Sequence, residues 1–127
     1  NTADTTAFIA LPGIGSKLAA RIVVFRDKLG GFYSVEQIKE TYGLPDSSFQ
    51  KVKQYLTISN ASVKKININT ATKDEMKIHP YIKWNLANAI VEYRNEHGDY
   101  KATEEIKKIM LVTEDIYTKV SPYLTVQ

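Results

Sequence analysis

The chain contains no cysteine among its 127 residues, which excludes disulfides, thiolate nucleophiles and cysteine-based zinc sites. It contains only two histidines, His79 and His97, and neither belongs to a cluster with metal-ligand spacing. No apolar run approaches the roughly 18 residues that a membrane-spanning helix needs, so the sequence predicts no membrane contact by this stretch. The net charge is only +3, which is too small to indicate nucleic acid by itself.

The strongest positive signal is an internal duplication with a period of 68 residues. When the sequence is shifted by that distance, Asn1–Ala3 aligns with Asn69–Ala71 and no insertion is needed anywhere in the alignment. Internal repetition at a fixed period indicates a structural unit. The sequence therefore predicts one repeat at residues 1–58, a linker at 59–65 and a second, degenerate repeat at 66–127.

Capping and periodicity signals predict four short helices in each repeat. Pro12 and Pro80 end the first helix of each copy, and the second helix of repeat one, which has an apolar period near 3.6 residues, closes at Gly30. The predicted N-terminal caps are Asp4, Ser34, Asp46 or Ser47, and Thr72. Short helices joined by short loops predict an all-α protein.

The most informative motif is Leu11-Pro12-Gly13-Ile14-Gly15. Its two glycines allow a tight turn and leave no side chain in the way of an approaching molecule. The helix that follows begins with N–H groups that lack partners within it, at the positive end of its dipole. Lys17 and Arg21 share one face of that helix. The pattern predicts a phosphate-binding site formed by Gly13, Ile14, Gly15, Ser16, Lys17 and Arg21, with the N–H groups of Ile14, Gly15 and Ser16 as donors.

These residues resemble the helix-hairpin-helix family, whose motif continues with the residue types of Ala19 and Ile22. The resemblance extends to the ComEA-type competence DNA receptors and covers nearly the whole chain in two copies. It is carried further by Phe25-Arg26, Gly30, Phe32, Ser34-Val35-Glu36, Asn1-Thr2-Ala3 and Asn67-Ile68-Asn69-Thr70-Ala71-Thr72. Each unit of such a protein is a pair of hairpins, so the resemblance implies two tandem four-helix (HhH)2 units, similar to SAM domains.

The resemblance also implies a function and a setting. It implies sequence-independent binding of double-stranded DNA in DNA uptake, at a bacterial cell envelope or the periplasmic side of the membrane, with a cytoplasmic location left open. A membrane anchor is then expected to lie outside this stretch, which opens where a repeat begins. The hairpin carbonyls are expected to hold a monovalent cation at most, and no other cofactor is predicted.

The other three hairpin positions depart from the motif. The second reads Gly43-Leu44-Pro45-Asp46, in which Pro45 lacks an N–H and Asp46 brings a carboxylate where a phosphate would lie. The third, at 80–83, has lost both glycines, and the fourth, at 111–114, ends in an acidic residue. The sequence therefore predicts one full phosphate site at the first hairpin and a weaker DNA-binding site at the third, formed by Ile82, Lys83, Trp84 and Asn85.

Two functions remain open from the sequence. The first is sequence-independent binding of duplex DNA. The second is a protein-interaction scaffold of the bacterial cell envelope with vestigial hairpins, in which the second repeat binds a protein through Tyr81 and Trp84. No enzyme is predicted, because the sequence offers no Ser/His/Asp arrangement, metal-ligand spacing or nucleotide-binding glycine loop. No catalytic or metal-binding residue is therefore assigned.

Overall fold

The computed structural model describes residues 1, 3, 5–58 and 63–127, with the backbone alone at residues 5 and 6. Two compact units emerge, residues 1–63 and 64–127. The predicted Asp4 cap and residues 59–62 of the predicted linker lie outside the described residues, so the predicted domain limits stay a prediction. None of the described helices is long and apolar enough to cross a bilayer.

Unit 1 is built from short α-helices and 3₁₀ helices. In chain order they are α1 (Thr5–Ile9), α2 (Ser16–Leu29), a 3₁₀ helix (Val35–Glu40), α3 (Asp46–Val52) and a second 3₁₀ helix (Lys53–Tyr55). Helix α1 packs against α2, and the first hairpin joins them. The core consists of apolar residues from the three α-helices, the first 3₁₀ helix and the loops between them, namely Phe8, Ile14, Ala19, Ile22, Leu29, Phe32, Ile38, Leu44, Phe49 and Val52. The apolar positions predicted for one face of the second helix are Leu18, Ile22, Phe25 and Leu29. Of these, Ile22 and Leu29 are buried in the core, and Leu18 and Phe25 are partly buried.

Unit 2 repeats this plan. Its elements are α4 (Lys73–Lys77), α5 (Lys83–His97), a 3₁₀ helix (Thr103–Lys108), α6 (Glu114–Val120) and a 3₁₀ helix (Ser121–Tyr123). It adds two short strands, β1 (Ile66–Asn67) and β2 (Leu124–Thr125), which pair in parallel with Ile66 opposite Leu124. The all-helical prediction is therefore confirmed apart from this pairing, which is too short to leave a periodic pattern in the sequence.

The helix starts confirm some predicted caps and correct others. Ser34 forms the predicted capping box: its hydroxyl accepts the Glu36 N–H at 3.2 Å, and the Gln37 side chain accepts the Ser34 N–H at 3.0 Å. The helix that follows is 3₁₀ rather than α. The prediction that Asp46 or Ser47 caps the fourth helix is wrong, because the cap position belongs to Pro45 and no side chain caps it.

In each unit, an asparagine near the start forms two hydrogen bonds with the segment that follows the long helix. In unit 2, Asn69 Oδ1 accepts the N–H of Tyr100 at 2.7 Å and Nδ2 donates to the carbonyl of the same residue at 2.9 Å. In unit 1, Asn1 forms the same two bonds with Phe32, at 2.7 Å and 2.9 Å. The side chain completes backbone hydrogen bonds that burial would otherwise leave unmade.

A matched pair of arginines supports the same segment. Arg94 Nη1 donates to the carbonyls of Ile68 and Ala71 at 2.9 Å and 3.0 Å. Its counterpart Arg26 donates through Nη1 to the carbonyl of Ala3. Both arginines therefore stabilise the chain that leads into the first helix of their unit.

Candidate nucleic-acid interface

The first hairpin runs from the end of α1 to the start of α2, and its two glycines serve different purposes. Gly13 has φ +80, a left-handed conformation that favours glycine. Gly15 has φ −88 and ψ 178, an extended conformation open to any residue. A Cβ built on Gly15 would meet no atom within 4 Å. Gly13 is thus required by the turn, whereas Gly15 keeps the surface bare above the helix start.

The start of α2 presents unused N–H groups. Across the part of the chain that the structure describes, no acceptor takes the N–H of Gly15, Ser16, Lys17 or Leu18, and no side chain caps the helix. The first N–H to donate inward is that of Ala19, to the Gly15 carbonyl at 2.9 Å. Residues 15–17 are exposed. An accessible, uncapped helix start of this kind attracts an anion.

Ile14 does not contribute a free donor. Its N–H donates to the Leu11 carbonyl at 3.2 Å, and the residue is only 5% exposed. The same bond closes each of the other hairpins: Leu44 to Thr41 at 3.1 Å, Ile82 to His79 at 3.0 Å, and Val112 to Ile109 at 3.0 Å. The prediction that the Ile14 N–H binds phosphate is therefore wrong. The central apolar residue of a hairpin closes the turn, and the free donors begin one residue later.

The two predicted cations lie in different surroundings. Lys17 is exposed beside the free N–H groups. Arg21 reaches toward the second hairpin: its Nη1 lies 3.4 Å from the Tyr42 carbonyl, and its Cζ lies 5.1 Å from the Tyr42 ring centroid. A Cβ on Gly43, which has φ +81, would collide with this guanidinium. Arg21 therefore links α2 to the second hairpin.

Sequence reasoning did not assign a role to the second hairpin's Tyr42 and Gly43. Tyr42 is 82% exposed, and Gly43 leaves room for Arg21. The nearest atom to a Cβ built on Gly13 is Ser48 Oγ, at 3.9 Å, so the two hairpins of unit 1 lie at the same end of the unit. The sequence does carry a signal for the proximity of the two hairpins. A second glycine followed by an apolar residue, Gly43-Leu44, stands 30 residues after Gly13-Ile14.

The third hairpin is closed by one histidine. His79, which is buried, accepts the N–H of Tyr81 on its ring Nδ1 at 3.1 Å. Its carbonyl accepts the N–H groups of Ile82 and Lys83 at 3.0 Å and 3.1 Å. Lys83 has φ +59 at the position that corresponds to Gly15. The prediction that Ile82 and Lys83 form a weaker phosphate site is wrong as far as it relies on their backbone donors.

The other predicted residues of the third hairpin border an apolar cleft. Trp84 is 53% exposed, and the Lys77 ammonium lies 5.7 Å from its ring centroid. Asn85 is also exposed. The cleft has a volume of about 490 Å³ and is lined by Pro80, Tyr81, Ile82, Lys83, Trp84, Asn85, Leu86, Leu111, Ile116 and Lys119. Its lining contains two lysines and no carboxylate. The surface therefore suits a ligand that carries both an apolar group and a carboxylate better than it suits a bare phosphate.

The fourth hairpin is capped by its own side chain. The Thr113 hydroxyl accepts the Ile116 N–H at 3.2 Å, and Glu114 forms an ion pair with Lys107 at 3.1 Å. Among the described residues, no three side chains of the metal-binding types come together. The first hairpin, by contrast, combines free N–H donors with the exposed side chain of Lys17.

Both repeats of the chain are similar to known proteins. The helix-hairpin-helix motif family matches residues 1–57 and 61–125. Endonuclease/exonuclease/phosphatase family domain-containing protein 1 of Danio rerio is 28% identical over 94% of this chain and 25% of its own length, and its Xenopus laevis counterpart is 24% identical over 100% of the chain and 27% of its own length. ComE operon protein 1 of Bacillus subtilis (strain 168) is 34% identical over 46% of the chain and 28% of its own length.

The chain thus spans about a quarter of the length of these relatives. No solved structure matches it significantly. The family match covers both repeats, and each repeat carries the short helix, closed turn and long helix of the motif. The chain belongs to the helix-hairpin-helix family and carries two tandem copies of its motif.

Proposed function

We propose that unit 1 binds the phosphate backbone of double-stranded DNA without reading base sequence. The observation that carries this proposal is the set of free N–H groups of Gly15–Leu18 at an exposed, uncapped helix start. Lys17 and Arg21 stand nearby, and neither forms an ion pair with a described carboxylate. Contacts of this kind fix a protein on a duplex but carry no base information.

The dependence of duplex affinity on salt tests the proposal. Each neutralised phosphate contributes about −0.9 to the slope of log K against log salt concentration. With about two to five phosphates contacted, we expect a slope of about −2 to −4.5, measured by fluorescence anisotropy on a labelled duplex. Duplexes of equal length and different base sequence should bind equally. A slope near zero, or a strong preference for one sequence, would contradict backbone binding.

The proposal also includes a biological process and a location. The match to ComE operon protein 1 supports a role in DNA uptake, and the location at a bacterial cell envelope follows from the same likeness. A monovalent cation at the first hairpin would share the Leu11 carbonyl, which already accepts the Ile14 N–H and retains a second lone pair. Backbone carbonyl oxygens suit such a hard cation. We propose no catalytic activity for this chain.

A second candidate function concerns unit 2. In its third hairpin the N–H groups of Tyr81, Ile82 and Lys83 are occupied. Its cleft combines apolar walls with Lys83 and Lys119, which have no ion-pair partner among the described residues. Such a cleft fits a protein segment in which a bulky apolar side chain is flanked by carboxylates. We propose that unit 2 binds a segment of this kind.

The only tryptophan of the chain reports on this cleft. A synthetic peptide with phenylalanine and leucine between glutamates should change the fluorescence of Trp84, because the ring borders the cleft and would lose water contact. The matched peptide with lysines in place of the glutamates should bind at least about tenfold more weakly, which corresponds to about 1.4 kcal/mol. Equal responses to the two peptides would reject the role of Lys83 and Lys119.

A further inference from the structure

Unit 1 carries an exposed aromatic ring at the tip of its second hairpin. Tyr42 is 82% exposed, and the phosphate contacts proposed for the first hairpin make no use of its ring. An aromatic ring gains free energy when another apolar or aromatic surface covers it. The ring of Tyr42 is therefore available to a ligand that can lie flat against it.

One side of this ring already has a cation against it. The Arg21 Cζ lies 5.1 Å from the ring centroid, within the distance at which a guanidinium is attracted to an aromatic face. The Arg21 Nη1 also lies 3.4 Å from the Tyr42 carbonyl, which keeps the guanidinium next to the hairpin. Among the described residues, no other ring or cation packs against Tyr42. The opposite face of the ring is left for a flat partner.

The sister repeat shows that the fold does not require this arrangement. The 68-residue shift replaces the three residues that form it, Arg21, Tyr42 and Gly43, by residues that provide neither a guanidinium nor an aromatic ring, namely Ala89, Met110 and Leu111. The corresponding turn closes all the same, because the Val112 N–H donates to the Ile109 carbonyl at 3.0 Å. Since the turn forms without the ring and its cation, a role for them in binding is favoured over a role in folding.

The ring lies near the free N–H groups of α2. Arg21 stands one helical turn after Lys17 on the same face of α2, and its guanidinium reaches Tyr42. The second hairpin itself does not suit a phosphate, because Pro45 has no N–H and the Asp46 carboxylate follows it. A DNA strand held at the first hairpin would thus meet an aromatic ring, and not a second phosphate site, at the second hairpin.

We propose that Tyr42 stacks on an unpaired base of DNA whose phosphate backbone is held at the first hairpin. The base would cover the face of the ring that lies opposite Arg21. Within a duplex the faces of each base are covered by its neighbours, whereas an unpaired base can offer a face to the ring. Such stacking tolerates any base, because every base has a π face. The preferred ligand of unit 1 is then a duplex with a single-stranded end. This inference rests on the proposed binding of the duplex backbone by unit 1.

The test compares labelled duplexes that differ only in their single-stranded overhangs. One overhang consists of thymidines, which stack only weakly on the duplex itself. The other has the same length but consists of abasic nucleotides, which keep the phosphates and lack the bases. Overhangs of the 3′ strand and of the 5′ strand are both prepared. Because the charge and the length are equal within each pair, a difference in affinity reports contact with the bases.

We expect anisotropy titrations with the full chain at low salt to show at least about fivefold tighter binding of the thymidine overhang than of the abasic overhang, on one strand or the other. This ratio corresponds to about 1 kcal/mol. Tyr42→Ala should lower the ratio to about one, and Tyr42→Phe should keep it, because the ring remains. Tyr55→Ala removes another exposed tyrosine of unit 1 and should leave the ratio unchanged.

The outcomes separate this inference from the proposed function. Equal affinity for thymidine and abasic overhangs on both strands, with duplex binding intact, would overturn the stacking of Tyr42 alone. A preference for thymidines that survives in Tyr42→Ala would overturn it as well, since the bases would then contact another part of the chain. Failure of every duplex to bind would overturn both this inference and the proposed function.

Discussion

Replacement of Gly15 by glutamate is expected to weaken duplex binding at low salt by about tenfold or more, equivalent to about 1.4 kcal/mol. The added carboxylate would stand beside the free N–H groups of α2 and would both fill the anion position and repel phosphate. The fold should be unaffected, because Gly15 is extended and no atom lies within 4 Å of its Cβ position. Anisotropy titrations of a labelled duplex at low salt measure the change.

The duplication provides a control at the matching position. Lys83 occupies the place of Gly15 in unit 2, where the N–H is already taken by the His79 carbonyl. Lys83→Gln lowers the net charge by one unit, as Gly15→Glu does, so it controls for a loss of long-range attraction. We expect Lys83→Gln to change affinity by less than about threefold, a minor electrostatic effect. Equal losses in the two variants would mean that net charge, not the first hairpin, governs binding.

The second prediction with a large effect concerns the stability of unit 2. Asn69→Ala removes the acceptor of the Tyr100 N–H and the donor to the Tyr100 carbonyl, in a residue that is 3% exposed. Each buried group left without a partner costs about 1–3 kcal/mol, so we expect unit 2 to lose about 2–4 kcal/mol. Its unfolding midpoint should fall by about 10–25 °C. Thermal unfolding followed by Trp84 fluorescence reports on unit 2, because no other tryptophan is present.

Two further variants at asparagines define what is lost. Asn69→Asp keeps the acceptor for the Tyr100 N–H but loses the donor, so its destabilisation should be intermediate. Asn95→Ala changes an exposed asparagine on α5 and should stay within about 0.5 kcal/mol of the parent protein. If Asn69→Ala were as stable as Asn95→Ala, the bridge between Asn69 and Tyr100 would not hold the unit together.

Much of the fold could be predicted because its signals are local. The stop at Gly30 is visible in the sequence and is confirmed by φ +91 and by its N–H donating to the Arg26 carbonyl at 3.0 Å. The Ser34 capping box is equally local. The pairing of β1 with β2 was not predictable in this way, because its partners lie 58 residues apart and each strand has only two residues.

The candidate site was predictable in part, for a similar reason. The free donors of Gly15 and Ser16 follow from the helix start itself. The hydrogen bond from the Ile14 N–H to the Leu11 carbonyl depends on the path of the turn. The contact of Arg21 with Tyr42 depends on tertiary packing. His79 shows the limit of such reasoning, because the 68-residue shift aligns it with Leu11 and so predicts only an apolar, buried position. It is indeed buried, but its ring nitrogen also closes the third hairpin.

The closure by His79 bears on the stoichiometry of any complex with DNA. Two intact hairpin units on one chain would allow it to cross-link separate duplexes and to condense them. With the N–H groups of Tyr81, Ile82 and Lys83 occupied, the third hairpin has fewer donors to offer a phosphate, and the proposed function places the full DNA-binding site on unit 1. Under that proposal the chain would bind a duplex as a monovalent ligand, and its second repeat would remain available for a different partner.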